Sequence, residues 1–142
     1  MSSQLLERLV VPVATKDDAE RTVRQLLSYE SEPDLHIVHV IEKGGGAPDK
    51  APLEAREQQA TTIFEFLEAF VGERGSLTTE RRYGTDVVEE IVASADEQKA
   101  TAIAFVPRPS GRITRVLTGD KTRKLVANGQ IPVLVLPAEA TE

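Results

Sequence analysis

Apolar residues in this chain follow two alternating rhythms. Leu9-Val10-Val11-Pro12-Val13, Leu35 to Ile41, Ile103 to Val106 and Ile131 to Leu136 are short, nearly unbroken apolar runs. Such runs suit strands buried on both faces of a parallel sheet. Leu77 to Tyr83 instead alternates, with Leu77, Thr79, Arg81 and Tyr83 on one side, and reads as a half-exposed strand at a sheet edge. Between the strands the spacing becomes helical. Ala19, Val23, Leu26 and Leu27 form one stripe behind a cap at Thr15 or Asp17. Ile63, Phe64, Leu67, Phe70 and Val71 form the buried face of a helix from Leu53 to Val71, with Glu54, Arg56, Glu57 and Gln58 facing water and Gly72 and Gly75 at its end. Val87, Val88, Ile91, Val92 and Ala95 line a third helix behind Gly84-Thr85-Asp86, and Leu125 and Val126 mark a fourth after Gly119-Asp120. Five strands alternating with four helical segments predict a doubly wound α/β sandwich.

Size and composition narrow the function classes. The 142 residues suit a single domain over 1–142, with one interruption, a Gly/Pro-rich stretch at about 42–52 that reads as a flexible loop. Its Gly44-Gly45-Gly46-Ala47-Pro48 lacks the Gly-Lys-Ser/Thr ending of a phosphate-cradling P-loop. No apolar run approaches the ~18 residues of a membrane span. Met1-Ser2-Ser3-Gln4 lacks the basic and apolar regions of a signal peptide, so the expected location is cytoplasmic. The absence of cysteine excludes disulfides, thiolate metal sites and a cysteine nucleophile. The net charge of −6 is uneven: residues 107–124 hold six basic side chains against Asp120 alone, on an otherwise acidic body. That patch suggests a small anion or a protein partner at one place. Nucleic acid is not expected, since such a surface calls for a basic domain with exposed aromatics and only 4% of residues are aromatic.

The stretch Ala102 to Pro137 resembles the universal stress protein family. The family pattern is a late strand, Gly-x-x-Gly, nine residues, Gly-Ser/Thr, a helix and a final Pro-Val-Leu-Val-Val strand. Gly119 and Pro132-Val133-Leu134-Val135-Leu136 match it, as do Val11-Pro12-Val13 after the first strand, His39-Val40 in the second and Gly84 before the third helix. The resemblance, running from Leu9 to Leu136, implies an adenine nucleotide alpha hydrolase-like three-layer sandwich with a five-stranded parallel sheet in the order 3-2-1-4-5. It also implies a homodimer through the strand Ile131–Leu136, which as a bare apolar edge would invite aggregation. The family nucleotide site falls on Pro12, Val13, Ala14, Val40, Val106, Arg108, Pro109, Gly119, Asp120 and Lys121.

At four of those positions the sequence departs from the family. Ala14 stands where nucleotide-binding members carry an Asp that contacts the nucleotide. Val106 and Pro109 stand at the two loop glycines; a branched side chain resists φ > 0, and proline has a fixed φ and no N–H for phosphate. Asp120 replaces Ser/Thr and is expected to cap the helix with its own carboxylate, repelling an anion. These departures imply that ATP binding in the family manner is lost, so no cofactor is expected. The alternative is a nucleotide-binding member with an altered phosphate site built from Arg108, Arg112, Arg115 and Lys121; the other reading of that cluster is a solvated surface paired with the acidic body. A flavodoxin-like redox protein fits less well, because no Ser/Thr-rich phosphate loop follows the first strand.

No other catalytic or metal chemistry is indicated. His36 and His39, three apart in a strand, point to opposite faces and cannot chelate one metal; His39 reads as a satisfied structural histidine. Ser110 lies in Pro-Ser-Gly without triad partners. Glu89-Glu90 and Asp17-Asp18 read as cap and solvent-face residues. The expectation is a non-enzymatic dimer acting in stress response or regulation.

Overall fold

The computed structural model describes residues 5–29, 32–42, 53–106 and 119–137. The expected elements are present in the expected order: β1 (Arg8–Pro12), α1 (Lys16–Leu27), β2 (Asp34–Glu42), α2 (Leu53–Val71), β3 (Ser76–Gly84), α3 (Val87–Glu97), β4 (Ala102–Phe105), α4 (Gly119–Val126) and β5 (Val133–Val135). The strands form one sheet in the order β3-β2-β1-β4-β5, and each of its four pairings is parallel. The chain therefore winds outward from β1 to β3, then crosses back beside β1 to lay down β4 and β5. The reversal falls between β1 and β4, the kind of switch point beside which open α/β sheets form a ligand crevice at the carboxyl ends of the strands.

The unbroken apolar runs exist because the central strands feed two cores at once. Odd-numbered residues of β1 and β2, such as Leu9, Val11, Leu35 and Ile37, pack with Ala19, Val23 and Leu26 of α1 and Ile63 and Leu67 of α2. Even-numbered residues, Val10, Val38 and Val40, pack on the other face with Val88 and Ile91 of α3 and Leu125 of α4. The edge strand β3 alternates as expected, with Leu77, Thr79, Arg81 and Tyr83 toward α2 and Thr78, Glu80 and Arg82 toward α3.

The helix starts follow from local chemistry. Thr15 caps α1 in a reciprocal box with Asp18, and Asp86 caps α3 by accepting from the Glu89 N–H at 3.1 Å. Three expectations are adjusted. The ladder of β5 covers Val133–Val135, shorter than the apolar run Ile131–Leu136, because Pro132 has no N–H to give. Val126 is exposed while its neighbour Leu125 is fully buried, so α4 turns only a narrow stripe inward. On α2, Phe70 is half-buried and Ala60 joins the core. The Gly/Pro-rich segment expected to be flexible lies, beyond Glu42, outside the described residues. Among the described residues no helix is long and apolar enough to cross a membrane.

Candidate functional site

At the carboxyl end of β1, beside the switch point with β4, the backbone is engaged by hydrogen bonds within the chain. Pro12, the last residue of β1, aligns with Val38, and the Val13 N–H continues the ladder to the Val38 carbonyl at 2.9 Å. Ala14 then turns its N–H onto the Asp18 carboxylate, 3.2 Å from Oδ1 and 3.1 Å from Oδ2, and the Thr15 N–H meets the same Oδ1 at 3.1 Å. Asp18 is only 8% exposed. Its two oxygens are thus engaged by the backbone of the turn, so the nearby carboxylate is no substitute for an Asp at position 14. The Thr15-x-x-Asp18 spacing was the sequence signal for this arrangement; Asp18 is the buried partner of the Thr15 cap and not a solvent-face residue.

Val40 lies on β2 in the α3–α4 core, and Val106 is buried in the α1–α2 core with Val13 and Leu136. The side chain at the first loop-glycine position is thus committed to packing. Arg108, Pro109 and Ser110, with Arg112 and Arg115, lie outside the described residues. Gly119 opens α4. Asp120 stands one residue inside the helix, which corrects the expectation that it is the cap; its carboxylate is 91% exposed and faces Arg123 Nη1 at 3.3 Å. A negative charge in the first turn still opposes a second anion there.

The described cations of the basic segment are paired with acids. Lys121 Nζ lies 3.8 Å from Glu42 Oε2 at the end of β2, and Lys124 Nζ lies 3.2 Å from Asp86 Oδ2 at the cap of α3. The Glu89 N–H, more than burial opposes, holds the Asp86 carboxyl below its ordinary range, and Lys124 adds to the effect. The structure thus brings Pro12, Val13, Ala14, Val40, Val106, Gly119, Asp120 and Lys121 to the carboxyl half of the sheet, with their polar groups largely engaged by the protein itself.

The histidines point to opposite faces, as expected. His39 Nδ1 donates to the Val13 carbonyl at 2.9 Å and so braces the β1 turn. Burial lowers its pKa against the raising effect of that bond, and the charges of Arg81 and Arg56 lower it further.

His36 belongs to a polar cluster that pattern reading missed. It is buried between β3 and α3, with Nδ1 2.6 Å from Thr78 Oγ1 and Nε2 2.8 Å from Glu80 Oε1. Ser94 Oγ donates to the same Glu80 oxygen at 2.8 Å. Arg82 joins three carboxylates, reaching Glu80 at 2.7 Å, Glu90 at 2.9 Å and Glu97 at 3.0 Å. Burial alone would raise the Glu80 carboxyl, but bonds from His36, Ser94 and Arg82 outweigh it and hold the group below its ordinary value. Burial likewise weakens Arg82 as a cation, and bonds to Glu97, Glu90 and Glu80 more than reverse this. Glu90, read as a solvent-face residue, instead crosses over Gly84 to reach Arg82. The clue was a charged triplet, Glu80-Arg81-Arg82, on a strand facing a helix that carries Glu90, Ser94 and Glu97 at i, i+4 and i+7. Among the described residues no group of His, Asp and Glu is arranged to hold a metal ion.

Comparison with solved structures agrees with this architecture. A universal stress protein family member from Burkholderia pseudomallei superposes with a TM-score of 0.74 at 17% identity, covering 96% of this chain and 100% of the other. The universal stress protein from Archaeoglobus fulgidus in complex with dAMP gives 0.64 at 23% identity over 92% of this chain and 98% of its own. A universal stress protein in complex with cAMP gives 0.66 at 17% identity over 94% and 98%. No curated protein matches the chain in sequence. The family model described as the universal stress protein family matches residues 6–137. By that match over nearly its whole length, the chain belongs to the universal stress protein family.

Proposed function

We propose that this universal stress protein domain acts without chemistry at the crevice, as a cytoplasmic homodimer, and does not take ATP in the manner of the family motif. Its contribution to stress response or regulation then runs through a protein partner or a small anion of another kind. The observation that carries this reading is the engagement of the Ala14 and Thr15 N–H groups by the buried Asp18 carboxylate, at the position where nucleotide-binding members present a free Asp. Dimerisation is supported by the place of β5 at the sheet edge, with Val135 half exposed on it. An unpaired apolar edge favours pairing with a second copy.

The test is calorimetric titration of the purified protein with ATP and Mg²⁺, beside an Asp120→Ser variant. The expected result is no micromolar binding by the unmodified protein. Micromolar binding would refute the reading. Sedimentation of the same sample should give a dimer that Val135→Lys splits; a monomer at micromolar concentration would refute the β5 interface. A second reading, a nucleotide held in an altered pose, is favoured by the related structures with dAMP and cAMP. It would show as binding of those monophosphates where ATP fails.

A further inference from the structure

The polar cluster under α3 includes an exposed residue, Thr78, bonded to the buried His36 ring. Thr78 and Glu80 are two apart on β3 and share a face, and the register sets His36 of β2 opposite Thr78. Glu80 is held ionised by its three donors, so it can only accept, and the ring nitrogen facing it at 2.8 Å carries the proton. With Nε2 donating to Glu80, the lone pair of the imidazole is on Nδ1, 2.6 Å from Thr78 Oγ1. His36 is 7% exposed and anchored, whereas Thr78 is exposed. A hydroxyl, an imidazole and a carboxylate in that sequence form the arrangement by which a weak nucleophile is activated: a base in reach of the hydroxyl, and a third group fixing the tautomer of the base.

We propose that Thr78 is an acyl-acceptor site, modified by activated acyl donors such as thioesters or acyl phosphates, with His36 as the base and Glu80 as its positioning residue. Thr78 Oγ1 attacks the acyl carbon and its proton passes to His36 Nδ1, while the carbonyl electron pair moves to oxygen. Collapse reforms the carbonyl and expels the leaving group with its bonding pair; the proton on Nδ1 goes with it. The products are acyl-Thr78 and the protonated leaving group. Thr78 lies in the amino-terminal third of β3, away from the crevice at the carboxyl ends, so the site does not depend on what the crevice holds.

The experiment is incubation of the full chain with p-nitrophenyl acetate in neutral buffer, with nitrophenolate release followed by absorbance and the acetylated residue mapped by peptide mass spectrometry. The expected result is one acetyl group on Thr78, kept in Thr78→Ser, absent in Thr78→Val, and formed about 100-fold or more slowly in His36→Gln. His36 is buried, so folding of that variant is checked by circular dichroism, and substitutions at Glu80, which leave the base in place, give an independent readout. The charged groups around the ring are Glu80 and Arg82 of β3 and, through Arg82, Glu90 and Glu97 of α3; β1 presents the apolar Val10. Glu80→Gln should slow the acetylation of Thr78, and Glu80→Asp should restore part of the rate, a rescue that a merely structural role would not give. Acetylation confined to lysines and the N-terminus would overturn the proposal, as would an unchanged rate in a folded His36→Gln.

Discussion

Replacing Arg82 by leucine tests how far the cluster holds α3 to the sheet. The guanidinium is 15% exposed and bonds three carboxylates; Glu80 and Glu90 are 25% exposed and Glu97 is 59% exposed. Removing one partner of a fully buried pair costs ~3–5 kcal/mol, because the other charge is left uncompensated. Here two carboxylates are stranded at a site that water partly reaches, and the third is surface-like, with a pair worth ~0.2–1 kcal/mol. Leucine restores some packing, so the net loss at neutral pH should be about 2–3 kcal/mol. Urea denaturation followed by circular dichroism should show the midpoint lowered by about 1–2 M at the slope usual for a domain of this size. The pH dependence gives a second check. The folded-state value of Glu80 is depressed, so its contribution is fully present above its unfolded value and is lost as pH falls through the folded one. Arg82→Leu removes part of that depression, so the gap between the two proteins should narrow as pH drops below about 4. A loss under about 0.5 kcal/mol at pH 7, the size of an ordinary surface change, or a gap that stays constant into acid, would refute the reasoning.

Two further outcomes follow from the same geometry. A Cβ added at Gly84 would sit 2.8 Å from Cγ and Cδ of Glu90, so Gly84→Ala should push Glu90 off Arg82 and cost about 1–2 kcal/mol; in a double-mutant cycle, Glu90→Ala should absorb most of that cost, and strict additivity would contradict the account. Burial depresses the folded-state value of His39, so the unfolded chain binds the proton more readily and stability should fall as pH drops through the ordinary histidine value near ~6.5. His39→Gln should flatten the decline between about pH 7 and 5, read as thermal midpoint against pH, and an unchanged slope would contradict it.

The fold was legible because its signals are local. The α2 boundaries, Leu53 and Val71, match the expected span, since the apolar stripe and the glycines beyond it mark a helix without reference to the rest of the chain. The strand order came from resemblance and matched. The polar cluster depends instead on register: His36 meets Thr78, and Val38 meets Glu80, only once β2 and β3 are aligned. Glu90 read as a solvent residue because helical spacing says nothing about a side chain that reaches past a glycine to a neighbouring strand. Asp120 read as a cap because the motif position, not the helix start, guided the reading; α4 begins one residue earlier.

The departures at the crevice also have a physical consistency. At the ends of β1 and β4 the residues are engaged in the fold: Asp18 satisfies the turn after β1, and Val106 fills core that a glycine would leave empty. Burying a valine side chain is worth about 1.5–3 kcal/mol, and Asp120 in the first turn of α4 adds some 0.3–1 kcal/mol. Returning Val106 to glycine would therefore cost stability whatever it did for nucleotide, and a failed titration of such a variant could mean only a loosened core. Asp120 is different. Its carboxylate is 91% exposed and bonded only loosely to Arg123, so serine at that position leaves the cores intact. The Asp120→Ser titration therefore probes the anion site without disturbing the cores. Should the unmodified protein fail to bind, binding gained by that single change would place the obstruction in one surface charge, and silence from both would place it in the other departures, Ala14, Val106 and Pro109.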